Sequence, residues 1–125
     1  MDNISFQKKV SKPWGSESWL TSDNLPYTSK ILHVTKGSRL SLQYHDLKDE
    51  TLSLVSGKVS LVIGPDAASL ETVDMLPEVG YHVAPNVLHR IEAIEDSVLV
   101  EASLPQTGTT FRVQDDYGRT DEHLA

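Results

Sequence analysis

The chain predicts an all-β domain, a sandwich or barrel, and three observations lead there. Apolar residues recur with period two in short runs, as in 39–45 and 59–63. Turn residues such as Gly57-Lys58, Gly64-Pro65-Asp66 and Pro77-Glu78-Val79-Gly80 separate these runs, roughly every eight to twelve positions. No stretch holds a convincing helical period, and there is neither an internal repeat nor a low-complexity tract.

Length and composition set the outer limits. At 125 residues the chain is one domain with one core. A formal net charge of -7 argues against a nucleic-acid or anionic-membrane partner, which would need a basic stripe. Without cysteine there are no disulfides and no thiolate chemistry. The opening MDNISFQKKV lacks the apolar run of a secretory leader, and nothing later is long enough to span a membrane, so a cytoplasmic protein is expected.

Taken in order, residues 1–29 read as an arm leading into a barrel of residues 30–114, with 115–125 as a tail. Lys12-Pro13-Trp14-Gly15 is a turn, 18–20 a short strand and 23–26 a second turn, with Trp14 and Trp19 expected to cover the barrel's open end. Residues 29–35 form a strand by their β-branched content, with Lys30 on the face of Leu32 and Val34 and His33 on the other. In 39–45, Leu40, Leu42 and Tyr44 share one face while Ser41, Gln43 and His45 share the opposite one. Four turn residues, Asp46 to Asp49, then lead to Glu50 at the head of another alternating run. Strands joined so closely are predicted to pair as a hairpin, which would return Glu50 beside His45. Nitrogen and oxygen donors on neighbouring strands suit a hard or borderline divalent ion. Residues 70–76 and 97–104 are further strands, Asp115-Asp116 reads as a solvated turn, and the chain is expected to fray beyond Arg119.

Gly37, Gln43, His45, Glu50 and Gly57 carry the spacing of the first signature motif of the cupins, which the chain therefore resembles. Gln43 in place of the usual first His, preceded by Leu-Ser-Leu, is similar to the C-terminal cupin domain of type II mannose-6-phosphate isomerases. Lys12 to Gly15, Arg39 to Gln43, the His89-Arg90-Ile91-Glu92 run and the Tyr117-Gly118-Arg119 ending match the same domains. In the second cupin motif, aligned on His89, Ala84 takes the Pro slot and Asn86 the Gly slot; Asn tolerates the positive φ required there. Alternation then turns His89 and Ile91 inward, with Arg90 and Glu92 outward.

The resemblance implies a jelly-roll barrel of about eight main strands. It also implies one divalent ion held by Gln43, His45, Glu50 and His89, zinc first, with manganese, nickel, cobalt and iron as alternatives. The implied chemistry is aldose–ketose isomerisation of a sugar or sugar phosphate by a homodimeric protein. Lys48 and Lys30 are then the catalytic cations, and Arg119 folds over the mouth to bind substrate. The chain departs from the family stretch Gln-x-His-His-His-Arg-x-Glu-His-Trp at several positions. Asp46 and Leu47 replace two His, Lys48 stands at the Arg, and Thr51-Leu52 replace His-Trp. Lysine keeps the charge but loses the bidentate fork. Lys48 has a plainer reading too, as a solvated loop lysine beside Asp46 and Asp49. The competing functional readings are a non-catalytic metal- and sugar-binding cupin, a small cupin oxygenase, and a buried polar network without an ion.

Overall fold

The structure, a computed structural model, describes residues 4–105 and 107–124. The outermost ends of the expected arm and tail, residues 1–3 and 125, lie outside that range. Twelve strands run in chain order: β1 (Lys8–Lys12), β2 (Gly15–Trp19), β3 (Thr28–Val34), β4 (Leu42–His45), β5 (Glu50–Ser56), β6 (Val59–Gly64), β7 (Glu71–Asp74), β8 (Tyr81–Val83), β9 (Leu88–Ala93), β10 (Ser97–Ser103), β11 (Gly108–Gln114) and β12 (Glu122–Leu124). They form two six-stranded sheets, ordered β1-β2-β3-β10-β5-β8 and β12-β11-β4-β9-β6-β7. Every paired strand is antiparallel, and the two sheets face each other as a jelly-roll barrel. The described residues contain no helix, hence none long and apolar enough to cross a membrane.

The count exceeds eight because both ends of the chain add strands. Within the segment expected as an arm, β1 and β2 form a hairpin and β2 pairs with β3. Trp14, between them, is buried in the core, and both it and half-buried Trp19 line a cavity. The fraying expected after Arg119 is corrected as well: β12 pairs with β11 in register Thr109↔His123.

The hairpin expected between residues 39–45 and Glu50 does not form. β4 lies between β11 and β9 in one sheet, and β5 between β10 and β8 in the other. Both edges of each strand are already paired, so the four-residue link turns the chain from one sheet to the other. Glu50 still returns beside His45, but across the barrel interior.

Inward rows show why the barrel has two unlike ends. Lys30, Leu32 and Val34 succeed one another on β3, Glu50, Leu52 and Leu54 on β5, and His89, Ile91 and Ala93 on β9; all nine are buried. Register aligns Leu32 with Leu99 and Leu99 with Leu54, and sets Lys30 opposite Glu101. One end is therefore an apolar core of Val34, Leu54, Val59, Leu61, Ile91 and Leu99, stabilised by removal of that surface from water. The other end is polar and opens into a cavity of about 680 Å³.

Gly15 makes the β1–β2 turn possible. Its φ is +151°, and a Cβ there would collide with the His33 carbonyl oxygen of the neighbouring strand. Gly15→Ala should therefore cost about 1–3 kcal/mol, measured by denaturant unfolding, whereas Gly37→Ala, where a Cβ meets nothing within 4 Å, should cost only its positive-φ strain.

Candidate metal centre

Three elements deliver the site. β4 places Gln43 and His45 two residues apart on its inner face, β5 begins with Glu50, and β9 sets His89 opposite Gln43 in the ladder. The turn before β9 depends on Asn86, whose φ of 67° fulfils the positive-φ expectation. Its amide donates to the His45 carbonyl at 2.7 Å and so ties that turn to β4.

His45, Glu50 and His89 are buried to 5 %, 5 % and 3 % exposure, and their ligand atoms lie within 4.8 Å of one another. Donors held about 2.0–2.2 Å from one small ion stand at most roughly 4.4 Å apart, so the cluster is near the spacing such an ion needs. The chemistry fits as well. His89 Nδ1 donates to the Val87 carbonyl at 3.0 Å, since a carbonyl can only accept. Its Nε2 meets Glu50 Oε1 at 3.4 Å, and His45 Nε2 stands 4.0 Å from Glu50 Oε2. A proton or a cation must lie between such groups. Glu50 Oε2 is buried without a hydrogen bond of good geometry, although Lys48 Nζ stands 3.0 Å away. The cluster can hold a metal ion. His45 is oriented from behind by Thr110 Oγ1, 2.9 Å from Nδ1, and Gln43 Oε1 accepts from Ser41 Oγ at 2.5 Å.

The surrounding charges form two groups. Lys48 is 4 % exposed, with Nζ 3.0 Å from Glu50 Oε2 and 2.9 Å from Glu101 Oε2, so it is neither a solvated loop lysine nor free over the cluster. Burial opposes its charge, but Glu101 and then Glu50 outweigh burial and raise its pKa. Burial would likewise raise Glu50, yet Lys48, followed by His89, holds it well below the usual carboxylate range. His45 is pushed down to about 3 by burial, with Lys48 adding to the effect, so it stays neutral. Lys30, 4 % exposed, belongs to the second group. Its Nζ lies 3.7 Å from Glu17 Oε1 and 4.5 Å from the centre of the Trp19 ring, while Trp19 Nε1 donates to the same Glu17 oxygen at 2.8 Å. Burial lowers the Lys30 pKa, and Glu101 resists the shift.

The structure brings Gln43, His45, Lys48, Glu50, His89, Lys30 and Arg119 to one cavity. Arg119 arrives already engaged, donating through Nε and Nη2 to Asp115 at 3.0 and 2.9 Å. The expected solvated turn is thus corrected: Asp115 holds Arg119, and Asp116 accepts two bonds from Arg39 at 2.6 and 2.8 Å. Arg90, expected outward, is 5 % exposed because it donates to the Leu40 carbonyl and to Gln114. Sequence reasoning missed Glu101 and Glu17. The signal for Glu101 was an acid two residues from Leu99, on the parity of an apolar strand face. Asp46, in the place of a family His, accepts from the Thr109 amide at 2.7 Å and so anchors β11.

An antiparallel jelly roll with a His-Glu-His cluster inside the barrel defines a cupin. The sequence matches the family model described as mannose-6-phosphate isomerase C-terminal over residues 1–122, and the chain belongs to that family. Solved structures share the fold at low identity. A single-residue variant of oxalate decarboxylase from Bacillus subtilis is 17% identical, with a TM-score of 0.69 over 84% of this chain and 30% of that one. The capsular polysaccharide assembling protein CapF of Staphylococcus aureus is 15% identical, with a TM-score of 0.69 over 98% and 33%. KdgF from Halomonas is 16% identical, with a TM-score of 0.66 over 81% and 88%. The chain thus spans about a third of the length of the first and second of these. No curated protein matches.

Two outcomes follow. Lys48→Met strands two buried carboxylates and should cost roughly 3–5 kcal/mol, whereas Leu47→Ala, at an exposed neighbour, should cost little in the same denaturant titration. In metal-free protein, stability should fall as pH drops from about 6.5 toward about 3, the window between unfolded and folded His45. There the unfolded chain binds a proton that the folded chain refuses, a loss of up to roughly 1.4 kcal/mol per pH unit. Glu50 adds its own loss only below its unfolded value of 4.5. His45→Gln should flatten the upper part of the profile.

Proposed function

We propose that this domain is a metal-dependent aldose–ketose isomerase acting on a sugar phosphate of the mannose 6-phosphate type. One observation carries the reading: Lys30, a buried lysine whose ammonium has a 3.7 Å ion pair with Glu17 but no hydrogen bond among the described residues, lines the same cavity as the His45-Glu50-His89 cluster. Gln43, His45, Glu50 and His89 would hold the ion, and two imidazoles with carboxylate and amide oxygens favour zinc first. The bound ion would supply Lewis-acid polarisation of the sugar's carbonyl and adjacent hydroxyl oxygens.

The chain's own residues do the rest. Lys48 keeps Glu50 ionised and fixed in place. Lys30, whose burial enlarges the share of free amine at neutral pH, takes the proton from the carbon beside the carbonyl and returns it to the neighbouring carbon. The hydroxyl proton moves in the same sense, from the adjacent hydroxyl oxygen to the carbonyl oxygen, so carbonyl and hydroxyl exchange places with no net change in atoms or electrons. Lys12 and Arg119 also line the cavity and would meet the phosphate, Arg119 with the guanidinium nitrogen that Asp115 leaves unengaged. A second reading, a metal- and sugar-binding module without turnover, is favoured by Asp46, Leu47 and Thr51 at family His positions.

Incubation with mannose 6-phosphate in deuterated water, with zinc, manganese, nickel or cobalt, tests the proposal. Fructose 6-phosphate carrying solvent deuterium on carbon is expected under exclusion of oxygen. Lys30→Met should lower turnover by roughly 100-fold or more and leave bound metal unchanged. Metal binding without product or exchange would overturn the isomerase reading in favour of the binding module.

A further inference from the structure

The segment expected as an arm supplies the neighbours of Lys30. On β2, Glu17 is buried and Trp19 half-buried; both line the cavity, and register sets Trp19 directly opposite Lys30. The lysine ammonium lies against the indole, 4.5 Å from the ring centre, while exposed Lys8 of β1 approaches the same ring at 4.9 Å. Trp19 Nε1 donates to Glu17 Oε1 at 2.8 Å, and that same oxygen stands 3.7 Å from Lys30 Nζ. At that distance charge still acts, but no hydrogen bond forms. Lys48 shows a closed pair in the same interior, with carboxylate oxygens 3.0 and 2.9 Å from its Nζ.

Charges reach Lys30 from several elements: Glu101 on β10, Lys48 in the β4–β5 link, Glu17 on β2 and Lys12 at the end of β1. Neutral His45 on β4 feels the lysine's charge in turn. Glu101 is committed elsewhere, since its Oε2 meets Lys48 Nζ and accepts from Ser103 Oγ at 3.0 Å. Glu17 is the carboxylate that could close on Lys30, and its nearer oxygen is taken by the indole. We propose that Trp19 and Glu17 are positioning residues for Lys30, the ring placing the amine while the indole N–H keeps the carboxylate from locking it in a hydrogen-bonded pair. This role rests on Lys30 being the base of the proposed isomerase. A closed pair would hold the lysine's proton firmly; without one, burial prevails and leaves more free amine near neutrality.

Titration of Lys30 itself tests the role, in metal-free protein without substrate. Lysines labelled with carbon-13 at Cε are followed by NMR as pH rises, the Lys30 signal being the one lost in Lys30→Met. Glu17→Gln should lower the Lys30 midpoint by roughly one pH unit, because it removes an attracting charge. Trp19→Phe should raise it by about one pH unit or more, because Glu17 then closes on the ammonium, which outweighs the weaker pull of a phenyl ring. In Glu17→Gln protein the same Trp19→Phe change should produce no rise. Lost packing alone would move both single variants alike and would persist in the double. The limb of the kcat profile that rises with pH should follow these displacements, with KM little changed. A midpoint that Trp19→Phe leaves in place or lowers, or a rise that survives without Glu17, overturns the positioning role whatever the turnover. Midpoints that move as stated in a protein without turnover support it and overturn only the isomerase reading. Glu17→Gln, nearly isosteric, decides alone if Trp19→Phe does not fold, since an unmoved midpoint there also overturns the role.

Discussion

The polar end of the barrel depends on one ammonium group. Lys48 Nζ sits between Glu50 and Glu101, on paired strands of one sheet, while its backbone belongs to the link arriving from the other. Two buried carboxylates on adjacent strands would repel and would pay for lost hydration; the shared cation removes both costs at once. It also fixes the point where the chain crosses between sheets. Without that crossing, Glu50 could not face His45 and His89 across the interior.

This arrangement separates charge from coordination. For the cluster to hold a cation Glu50 must be ionised and His45 neutral, and the surroundings favour both. Burial keeps His45 uncharged, Lys48 keeps Glu50 charged, and the Val87 carbonyl determines which His89 nitrogen faces inward. Lys30, in the same cavity, has only a 3.7 Å ion pair with Glu17, the charge of Glu101 farther off and an aromatic ring for company. Two lysines on one cavity wall thus meet opposite environments, one clamped and charged, the other only loosely paired. Environments that push like groups apart separate structural from chemical roles.

The departures from the family motif acquire physical meaning in the fold. Asp46 exchanges an imidazole for an acceptor that secures the β11 backbone, and Leu52 fills the core where the motif has Trp. Leu47 stands exposed beside Gly108, whose lack of a Cβ lets that segment pass close to Asp46 and Leu47.

By itself the sequence determined the all-β class, most strand positions, the face on which each alternating side chain lies, and the residues that converge. Period-two alternation is local physics: it put Gln43 with His45 on one face and Lys30 with Leu32 and Val34 on another, while the resemblance to cupins is what turned the Gln43 and His45 face into the barrel. The tolerance of Asn86 for positive φ was equally local. Only the tertiary structure decided which strand lies beside which. Hydrogen-bond edges are identical along the chain, so nothing local told β4 to pair with β9 and β11 instead of β5. The roles that follow from neighbours were hidden for the same reason. Glu101 as partner of Lys48, Arg90 buried against Gln114 and Asp115 holding Arg119 all arise from contacts that alternation cannot specify.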